Sequence, residues 1–418
     1  MRHIQMQGIG IREAIGLAIS RHPDISRANA VIAQSNSEIA VAKAAWYPKL
    51  EYGVRPGYGA TYGTGGNLAG VRGSLGVSQL VYDFGKTQSR IAAADAQLNR
   101  NRHLLTDTME TIAQNTAATF VELAASQEIV AAAQRQVDAL TATRSKIGDR
   151  VRAGLSVNSD RNMADIAIQR AKSDQLRARS RFDVAASRLA ELIGIKPEQV
   201  EDLTGTNGDI NQLGDEMGTV EQTPAVLAAG AAVEAAQAHV SQAQAEQYPS
   251  VSVGVSRTVS TGPSSAYDDT WVGVSISGDF SLGRLNQHRI AAAQAERRAA
   301  LDALDNQRLI ARTALRASST EAAGAVARKD SYEQMISLLR ASRDLYWQEY
   351  ILNKRTLTDV LNPEREIFIA EQEWVSAMAD ATVARVRAHV AVGRFVDLLR
   401  EQELGADTAP ETRARTKP

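Results

Sequence analysis

Cysteine is missing from this chain of 418 residues. Its absence excludes disulfides, thiolate metal sites, cysteine nucleophiles and a lipidated N-terminal cysteine in this sequence. Aromatic residues are also scarce, at 5 %, whereas alanine is abundant. Few aromatics with much alanine indicate long helices in close contact rather than a thick globular core.

Long apolar runs and an excess of one charge are missing as well. No stretch of ~18 apolar residues occurs, so the sequence predicts no transmembrane helix. The chain carries 47 basic and 48 acidic residues, which argues against a nucleic-acid partner. Residues 1–10 lack the apolar core of a signal peptide, so we expect an exported protein to be present here as a mature form with a replaced start.

No set of residues with the spacing of a catalytic or metal site stands out. The six histidines show no metal-binding motif, and neither a Ser-His-Asp set nor a carboxylate pair is evident. The glycines of segment 57–66 lie between two predicted strands, without the following helix that a phosphate-binding loop requires. We therefore predict no enzyme activity, no metal and no cofactor.

The chain is a tandem duplication with an offset near 200 residues. Prolines 23 and 48 lie 25 residues apart, as do prolines 224 and 249, and the second proline of each pair follows a tyrosine. Segments 90–94 and 289–293 both read Arg-Ile-Ala-Ala-Ala, and Gly154…Asp160 is echoed by Asn353…Asp359. We predict a first repeat over 1–195, a linker over 196–222, a second repeat over 223–403 and a disordered tail over 404–418.

Each half begins with a helix, near residues 24–46 and 225–247, which ends at the Tyr-Pro pair because proline disfavours helical geometry in its predecessor. Period-two alternation then predicts strands over 49–56, 70–81, 250–259 and 270–280. Segments 57–70 and 260–269, rich in glycine, serine and threonine, are predicted to be loops. One strand face is apolar and the other small or polar, which is typical of a lipid-facing barrel strand with a wet interior.

Two helices joined by a short turn follow each strand pair. Long helices are predicted over 84–150 and 284–351, where glycine and proline are nearly absent, and each would reach about 100 Å. Small residues at contact positions permit close coiled-coil packing. Return helices are predicted over 157–193 and 356–403.

The strand count predicts an oligomer. Four strands of this type cannot close into a barrel, and an open edge in lipid would leave backbone groups without hydrogen bonds. Two chains would supply eight strands, a number whose interior is filled by side chains, whereas three would supply twelve and a water-filled lumen. A transport function therefore favours three or more copies.

The chain resembles the TolC family of outer-membrane factors over about residues 10–403. The motifs that carry the resemblance are Tyr47-Pro48, the strand-to-helix turn Tyr82-Asp83-Phe84-Gly85, and the turn segments Gly154-Leu155…Asp160 and Arg355-Thr356…Asp359-Val360-Leu361. The resemblance implies an α+β membrane protein. It would be a homotrimer with a 12-stranded β-barrel, four strands from each chain, continued by a long α-helical barrel of coiled-coil helices. The linker and the C-terminal region would form an equatorial belt.

The function that this resemblance implies is passive export. The barrel would lie among the lipids of the Gram-negative outer membrane and the helical tunnel in the periplasm. A periplasmic adaptor (a membrane fusion protein) and an inner-membrane ABC or RND pump would deliver the substrate, in type I protein secretion or drug efflux. The missing cysteine favours type I secretion, because many drug-efflux ducts are lipoproteins.

Site residues implied by the resemblance lie at the turns between paired helices. Tyr350 and Arg355 would hold Asp160 through charge-assisted hydrogen bonds and so close the periplasmic tip as a gate. Asp359 would form an acidic ring that attracts cations at the pore entrance, although the family's second acidic position is here Asn362. The residues implied for adaptor docking at the tip are Gly154, Leu155, Lys354 and Thr356.

Ordinary structural roles are the alternatives for these residues. Arg355 and Asp160 would then be solvated at helix ends, Asp359 would complement a helix dipole, and Gly154 would only form a turn. For the whole chain, a coiled-coil scaffold without a pore would explain the helices but not the four alternating strands. A helical-bundle enzyme would require a ligand cluster that the sequence lacks.

Overall fold

The computed structural model describes residues 8–60, 67–197, 199–211, 219–262, 265–279 and 283–407. The helices are α1 (Ile11–Arg21), α2 (Pro23–Lys43), α3 (Lys86–Arg152), α4 (Asn158–Ile193), α5 (Leu203–Asn211), α6 (Pro224–Ala245), α7 (Leu285–Ile351), α8 (Leu357–Ala391) and α9 (Phe395–Asp407). The strands are β1 (Lys49–Ala60), β2 (Asn67–Tyr82), β3 (Ser250–Gly262) and β4 (Ser265–Ser277). Single turns of 3₁₀ helix lie at Ala44–Trp46 and Val220–Gln222.

Two compact units interleave along the sequence. The first takes in the described residues of Met1–Ser26, Thr106–Thr223 and Arg308–Pro418, and the second those of Arg27–Leu105 and Pro224–Gln307. Each unit thus draws on both repeats. The predicted limit near residue 195 lies inside one segment of the first unit, whereas the predicted start of the second repeat at 223 nearly coincides with the change of unit between Thr223 and Pro224.

The sheet of the second unit has the strand order β1-β2-β3-β4, and each neighbouring pair is antiparallel. Leu50, Val77, Val255 and Val272 are partners in register across the four strands, so the apolar residues share one face. This face is open, since Val272 is 74 % exposed. Serine and glycine predominate on the other face. Within the described chain, β1 and β4 each leave one edge without a strand partner.

Charged and aromatic side chains interrupt this two-faced pattern at a few positions. Arg257 and Asp268 lie on the apolar face, where the guanidinium donates two hydrogen bonds to the carboxylate at 3.0 and 2.6 Å. Trp271 lies on the polar face opposite Ser256. Its ring covers Gly273, where a Cβ atom would come within 2.7 Å of the indole.

The strands are longer at the turn ends than the sequence predicted. The β1–β2 ladder continues to Ala60 and Asn67, and the β3–β4 ladder continues to Gly262 and Ser265. The prediction of loops over 57–70 and 260–269 was therefore wrong for most of these residues, and 61–66 and 263–264 lie outside the described residues. Small polar residues resemble a loop in composition, but ladder hydrogen bonds join backbone groups whatever the side chain. β4 ends at Ser277, three residues before its predicted end, and residue 280 is again outside the described residues.

A buried aspartate starts the first long helix. Asp83 is 3 % exposed, and its carboxylate accepts hydrogen bonds from the backbone N–H groups of Gly85 and Thr87, at 3.1 and 2.7 Å. It thereby satisfies N–H groups that have no partner inside the helix. Phe84 takes a positive φ of 55° and stacks on Tyr248 with ring centroids 5.1 Å apart. The motif at residues 82–85 therefore turns the chain from β2 into α3.

The long helices α3 and α7 have 67 residues each. At 1.5 Å per residue each is about 100 Å long. They begin at Lys86 and Leu285, one or two residues after the predicted starts. The return helix α4 ends at Ile193. The next residue, Gly194, terminates the helix with a φ of 74° and donates its N–H to the Ala190 carbonyl at 2.7 Å.

The second return helix is interrupted, contrary to the prediction of one helix over 356–403. α8 ends at Ala391, Gly393 takes a φ of 68°, and the Arg394 N–H donates to the His389 carbonyl at 3.2 Å. This left-handed glycine closes α8, and α9 starts two residues later. α9 also includes residues 404–407, where disorder was predicted, whereas 408–418 lie outside the described residues.

Two short helices were missed by the sequence analysis. α1 precedes the first predicted helix, and α5 lies in the segment 196–222 that was predicted as a linker; residues 198 and 212–218 of that segment lie outside the described residues. α5 is tied to α8 by the Thr382 hydroxyl, which donates to the Asn207 amide oxygen at 3.1 Å.

The main hydrophobic core of the first unit joins segments from the whole length of the chain. Side chains of α1, α3, α4, α5, α8 and α9 meet there, including Ile11, Phe120, Leu189, Leu203, Val386 and Phe395. A separate polar link joins three helices. On α8, the Glu371 carboxylate accepts hydrogen bonds from Arg135 of α3 and Arg340 of α7 at 2.8 and 2.7 Å.

Glu110 is a buried acid at the edge of this core. It is 2 % exposed, and its Oε1 accepts a hydrogen bond from the Val396 N–H, at the start of α9, at 3.1 Å. Burial raises the pKa of Glu110 to about 7, and the nearby carboxylates of Asp397 and Asp107 act in the same direction. The backbone bond from Val396 acts against this rise but does not cancel it.

Candidate functional site

The two turns between paired helices, in the first unit, have the same backbone geometry. Gly154 has a φ of 71° after α3, and Asn353 has a φ of 57° after α7. The next N–H group in each turn, of Leu155 or Lys354, donates to a carbonyl five residues earlier at 2.9 Å. This is the Schellman pattern of helix termination. Asn353 thus takes the same left-handed conformation as Gly154, which occupies the equivalent position of the first repeat.

Each helix that follows a turn has an aspartate as its third residue, Asp160 in α4 and Asp359 in α8. Thr356 caps α8: its hydroxyl accepts from the Asp359 N–H at 3.4 Å, while the Asp359 carboxylate accepts from the Thr356 N–H at 3.1 Å. The hydrogen bonds from Thr356 lower the pKa of Asp359, which keeps its negative charge. At α4 the equivalent aspartate is Asp160, which accepts a hydrogen bond from the Ser156 hydroxyl.

Tyr350 is fixed in a small apolar core at the turns. It is 7 % exposed and packs with Ile147, Leu357 and Val360. Its ring centroid lies 5.7 Å from that of Trp347. Residues from α3, α7 and α8 share this core, so the two helix pairs meet here.

The structure brings two of the three predicted gate residues together. The Tyr350 hydroxyl donates to Asp160 Oδ2 at 3.3 Å and lies 3.0 Å from the Ser156 hydroxyl. These bonds connect the end of α7 to the start of α4. These polar contacts lie beside the apolar core, and separating α7 from α4 here would require the hydrogen bonds to be exchanged for water.

Arg355 makes different contacts from those predicted. Its Nε donates to Glu349 Oε2 at 2.6 Å, and its guanidinium lies 3.8 Å from the ring centroid of Tyr346. Both partners are on the last turns of α7, because the chain folds back at Asn353. Within one chain, the prediction that Arg355 holds Asp160 is therefore not reproduced. The bond to Glu349 raises the pKa of Arg355 above its usual range, so Arg355 stays charged.

The outer surface of the turns exposes large apolar side chains. Leu155 is 63 % exposed and Leu352 is 64 % exposed. The other predicted docking residues, Gly154, Lys354 and Thr356, are also exposed. Exposed leucines at both turns offer apolar area for a contact with a partner.

Sequence reasoning missed several residues of this site. Ser156 and Glu349 are the immediate hydrogen-bond partners of Asp160 and Arg355. Arg150 lies over the Tyr350 ring, 5.2 Å from its centroid. The pair of serine and aspartate four residues apart was a usable signal for the first contact, since Ser156 precedes a helix start. The other contacts form between residues whose spacing in the sequence gives no signal.

Other kinds of site find no support in the part of the chain that the structure describes. No group of three or more histidine and acidic side chains there is arranged to hold a metal ion. None of the described helices is both long and apolar enough to cross a membrane.

Comparisons with known proteins give consistent matches over most of the chain. A family model described as outer membrane efflux protein matches residues 14–195 and 219–394. Protein CyaE of Bordetella pertussis is 24 % identical over 328 residues, 73 % of this chain and 67 % of CyaE. Outer membrane protein TolC of Escherichia coli is 22 % identical over 406 residues, 92 % of this chain and 81 % of TolC. The structure of VceC from Vibrio cholerae has a TM-score of 0.76 at 17 % identity, over 92 % of this chain and 96 % of VceC, and so has the same fold.

Proposed function

The chain belongs to the outer membrane efflux protein family, as its resemblance to TolC predicted, and from this premise we propose that it is the outer-membrane exit duct of a tripartite export machine. Substrates would pass through it without energy input of its own. A periplasmic adaptor and an inner-membrane ABC or RND pump would deliver them. The Gram-negative outer membrane would hold the sheet, and the long helices would lie in the periplasm.

The two-faced sheet with free edges is the observation that carries this proposal. Its apolar face suits lipid and its serine- and glycine-rich face suits water. In lipid, the free edges of β1 and β4 must be paired. Three copies satisfy this requirement if β4 of each copy pairs with β1 of the next, which gives a closed barrel of twelve strands. The homotrimer is therefore part of the proposal.

The long helices supply further surface for contacts between copies. On α4 the exposed apolar residues include Leu176, at 71 %, and Ile166, at 53 %. On α7 they include Leu338, at 69 %, and Leu309, at 62 %. Exposed side chains of this size offer apolar area for contacts with a partner. We assign these contacts to neighbouring copies in the helical barrel.

The turns would form the periplasmic tip and dock the adaptor. Leu155 and the exposed turn residues Gly154, Lys354 and Thr356 would make this contact. Tyr350 and Asp160, with Ser156 between them, would form the gate latch inside each chain. Arg355 would complete the gate, and three copies of Asp359 would form an acidic ring at the entrance. The contacts of Tyr350 with Asp160 support the gate, and the lowered pKa of Asp359 supports the ring.

The proposal includes both type I protein secretion and drug efflux. Substrate choice in such a machine lies mainly with the pump, and the passage through the duct is common to both.

The first test is the conductance of the detergent-solubilised protein in a planar bilayer, with its mass measured in parallel. Discrete pores from a species of three chains are the expected result. A water-soluble protein that never inserts would overturn the duct and support the coiled-coil scaffold instead.

The gate is tested by the variants Tyr350→Phe, Asp160→Ala and Arg355→Ser. Each is expected to raise the conductance: the first two remove the bond between α7 and α4, and the third removes the charge that the family resemblance places in the closed gate. Asp183→Ala is a matched control, since Asp183 lies on α4 and is 57 % exposed in its pair with Arg179. Unchanged conductance in all three variants would reject the gate assignment while leaving the pore intact.

A further inference from the structure

Two arginines face each other directly on the polar face of the sheet. Arg55 of β1 and Arg72 of β2 are partners in register. They alternate with the apolar residues Val54 and Val71 and therefore lie on the opposite face from them. Both side chains are exposed.

In the part of the chain that the structure describes, no ion pair or hydrogen bond joins the guanidinium of Arg55 or Arg72 to a carboxylate. Glu51, on the same face, is paired with Lys49 at 3.0 Å. Asp269 of β4 lies on this face too, but it is opposite Thr258, two strands away from β2.

The placement is unfavourable for the sheet itself. Like charges directly opposite each other on neighbouring strands destabilise the pairing. Most other residues of this face are serine or glycine, which carry no charge and leave open space. The two arginines therefore need an explanation outside strand pairing.

We propose that three Arg55–Arg72 pairs form a cationic ring inside the barrel, which attracts anions and the anionic groups of exported solutes. This inference rests on the proposed duct, because only a closed barrel of three copies places the polar face around a lumen. Threefold symmetry then puts all six guanidinium groups at one level. Rings of arginine or lysine are how pores favour anions.

The distance over which charges act in water is long enough for such a ring to influence ions that pass it. In water a unit charge still attracts or repels an ion ~8 Å away, and the six charges of the ring act together. Salt screens this action over a Debye length of about 10 Å at 0.1 M. Anion preference should therefore be clear at low salt and should weaken as salt rises.

The test is the reversal potential of single pores in a planar bilayer with a KCl gradient, which gives the permeability ratio of chloride to potassium. The double variant Arg55→Gln/Arg72→Gln is expected to lower this ratio at least about threefold at low salt. The charge-preserving variant Arg55→Lys/Arg72→Lys is expected to keep it. Arg257→Gln is the control, because it removes an arginine charge from the opposite face of the same sheet.

The outcomes separate the ring from the duct. Pores of the glutamine variant with the wild-type ratio would overturn the ring and leave the duct standing. Wild-type protein that forms no pores would overturn the duct itself. If the glutamine variant does not assemble, the permeability ratio of chloride to potassium is measured for the wild type across a salt series. A ratio that falls towards one as the salt concentration rises supports the ring, and a constant ratio rejects it.

A structural role for Arg55 gives a different result. In the closed barrel β4 of one copy lies beside β1 of the next, so Asp269 could pair with Arg55 there. In that case Arg55→Gln would lower the thermal stability of the trimer and leave the permeability ratio unchanged. That combination would also overturn the ring.

Discussion

Replacing Glu110 by glutamine should make the protein more stable above neutral pH. The acid is buried beside the start of α9, and its pKa is raised from 4.5 to about 7 because burial disfavours the charged form. Glutamine has nearly the same shape and can still accept the hydrogen bond from Val396. It cannot ionise, so it removes the cost of a buried charge.

The sign and size of the effect follow from proton linkage. The folded protein binds the Glu110 proton more tightly than the unfolded chain does, so this proton stabilises the fold fully below a pH of about 4.5. That stabilisation is lost as the pH rises through about 7. Each tenfold change in proton affinity is worth ~1.4 kcal/mol, so the whole loss is about 3 kcal/mol.

Denaturant unfolding of the solubilised protein, followed by far-ultraviolet circular dichroism from about pH 5 to about pH 8, measures this loss. Wild type and Glu110→Gln should nearly coincide at the acidic end. The variant should gain steadily and exceed wild type by up to about 3 kcal/mol at the alkaline end. Glu122→Gln is the control on the same helix, because the Glu122 side chain is 51 % exposed.

One pattern would refute this reasoning. Curves for wild type and Glu110→Gln that stay parallel across the pH range, whether coincident or offset, would mean that the Glu110 carboxyl titrates in the folded protein as it does in the unfolded chain. A constant offset would then be an effect of packing rather than of charge.

Three further substitutions test the helices by thermal unfolding. Glu371→Gln should destabilise the protein by about 1–3 kcal/mol, because it weakens charge-assisted hydrogen bonds to two arginines. The control Glu373→Gln should change the stability little, since Glu373 is exposed. Equal effects of the two substitutions would reject the link between the helices. Gly194→Ala should destabilise by about 1–2 kcal/mol, because it forces a left-handed alanine against the Arg21 guanidinium. Gly148→Ala, inside α3 with open space around it, should instead stabilise by about 0.5–1 kcal/mol, and a loss there would contradict the backbone argument.

The elements with strong periodicity were predictable from the sequence. Alternation located all four strands, and the lack of glycine and proline located α3 and α7. Their ends were less predictable, since composition does not show where a ladder stops. The end of α8 before Gly393 was not predicted, because apolar residues continue on both sides of this glycine. α1 was also missed, because its burial depends on residues that are distant in the sequence.

The candidate site was predictable where a turn motif fixes the backbone. Gly154 and Asn353 are equivalent because the same helix-ending geometry needs a left-handed residue in both repeats. The pairing of Tyr350 with Asp160 came only from the family resemblance, since nothing in the spacing of these residues predicts it. The partners of Arg355 depend on side-chain reach across the turn, which no sequence pattern specifies.

The core that joins Ile11 to Phe395 has a consequence for how the chain can fold. If the chain crosses the inner membrane from its N-terminus, α1 emerges long before α9, and its apolar side chains have no native cover in the meantime. Contacts over such separations form slowly, and exposed apolar surface favours aggregation. Productive folding therefore requires that the early segments be kept unfolded and shielded until the last helices have arrived.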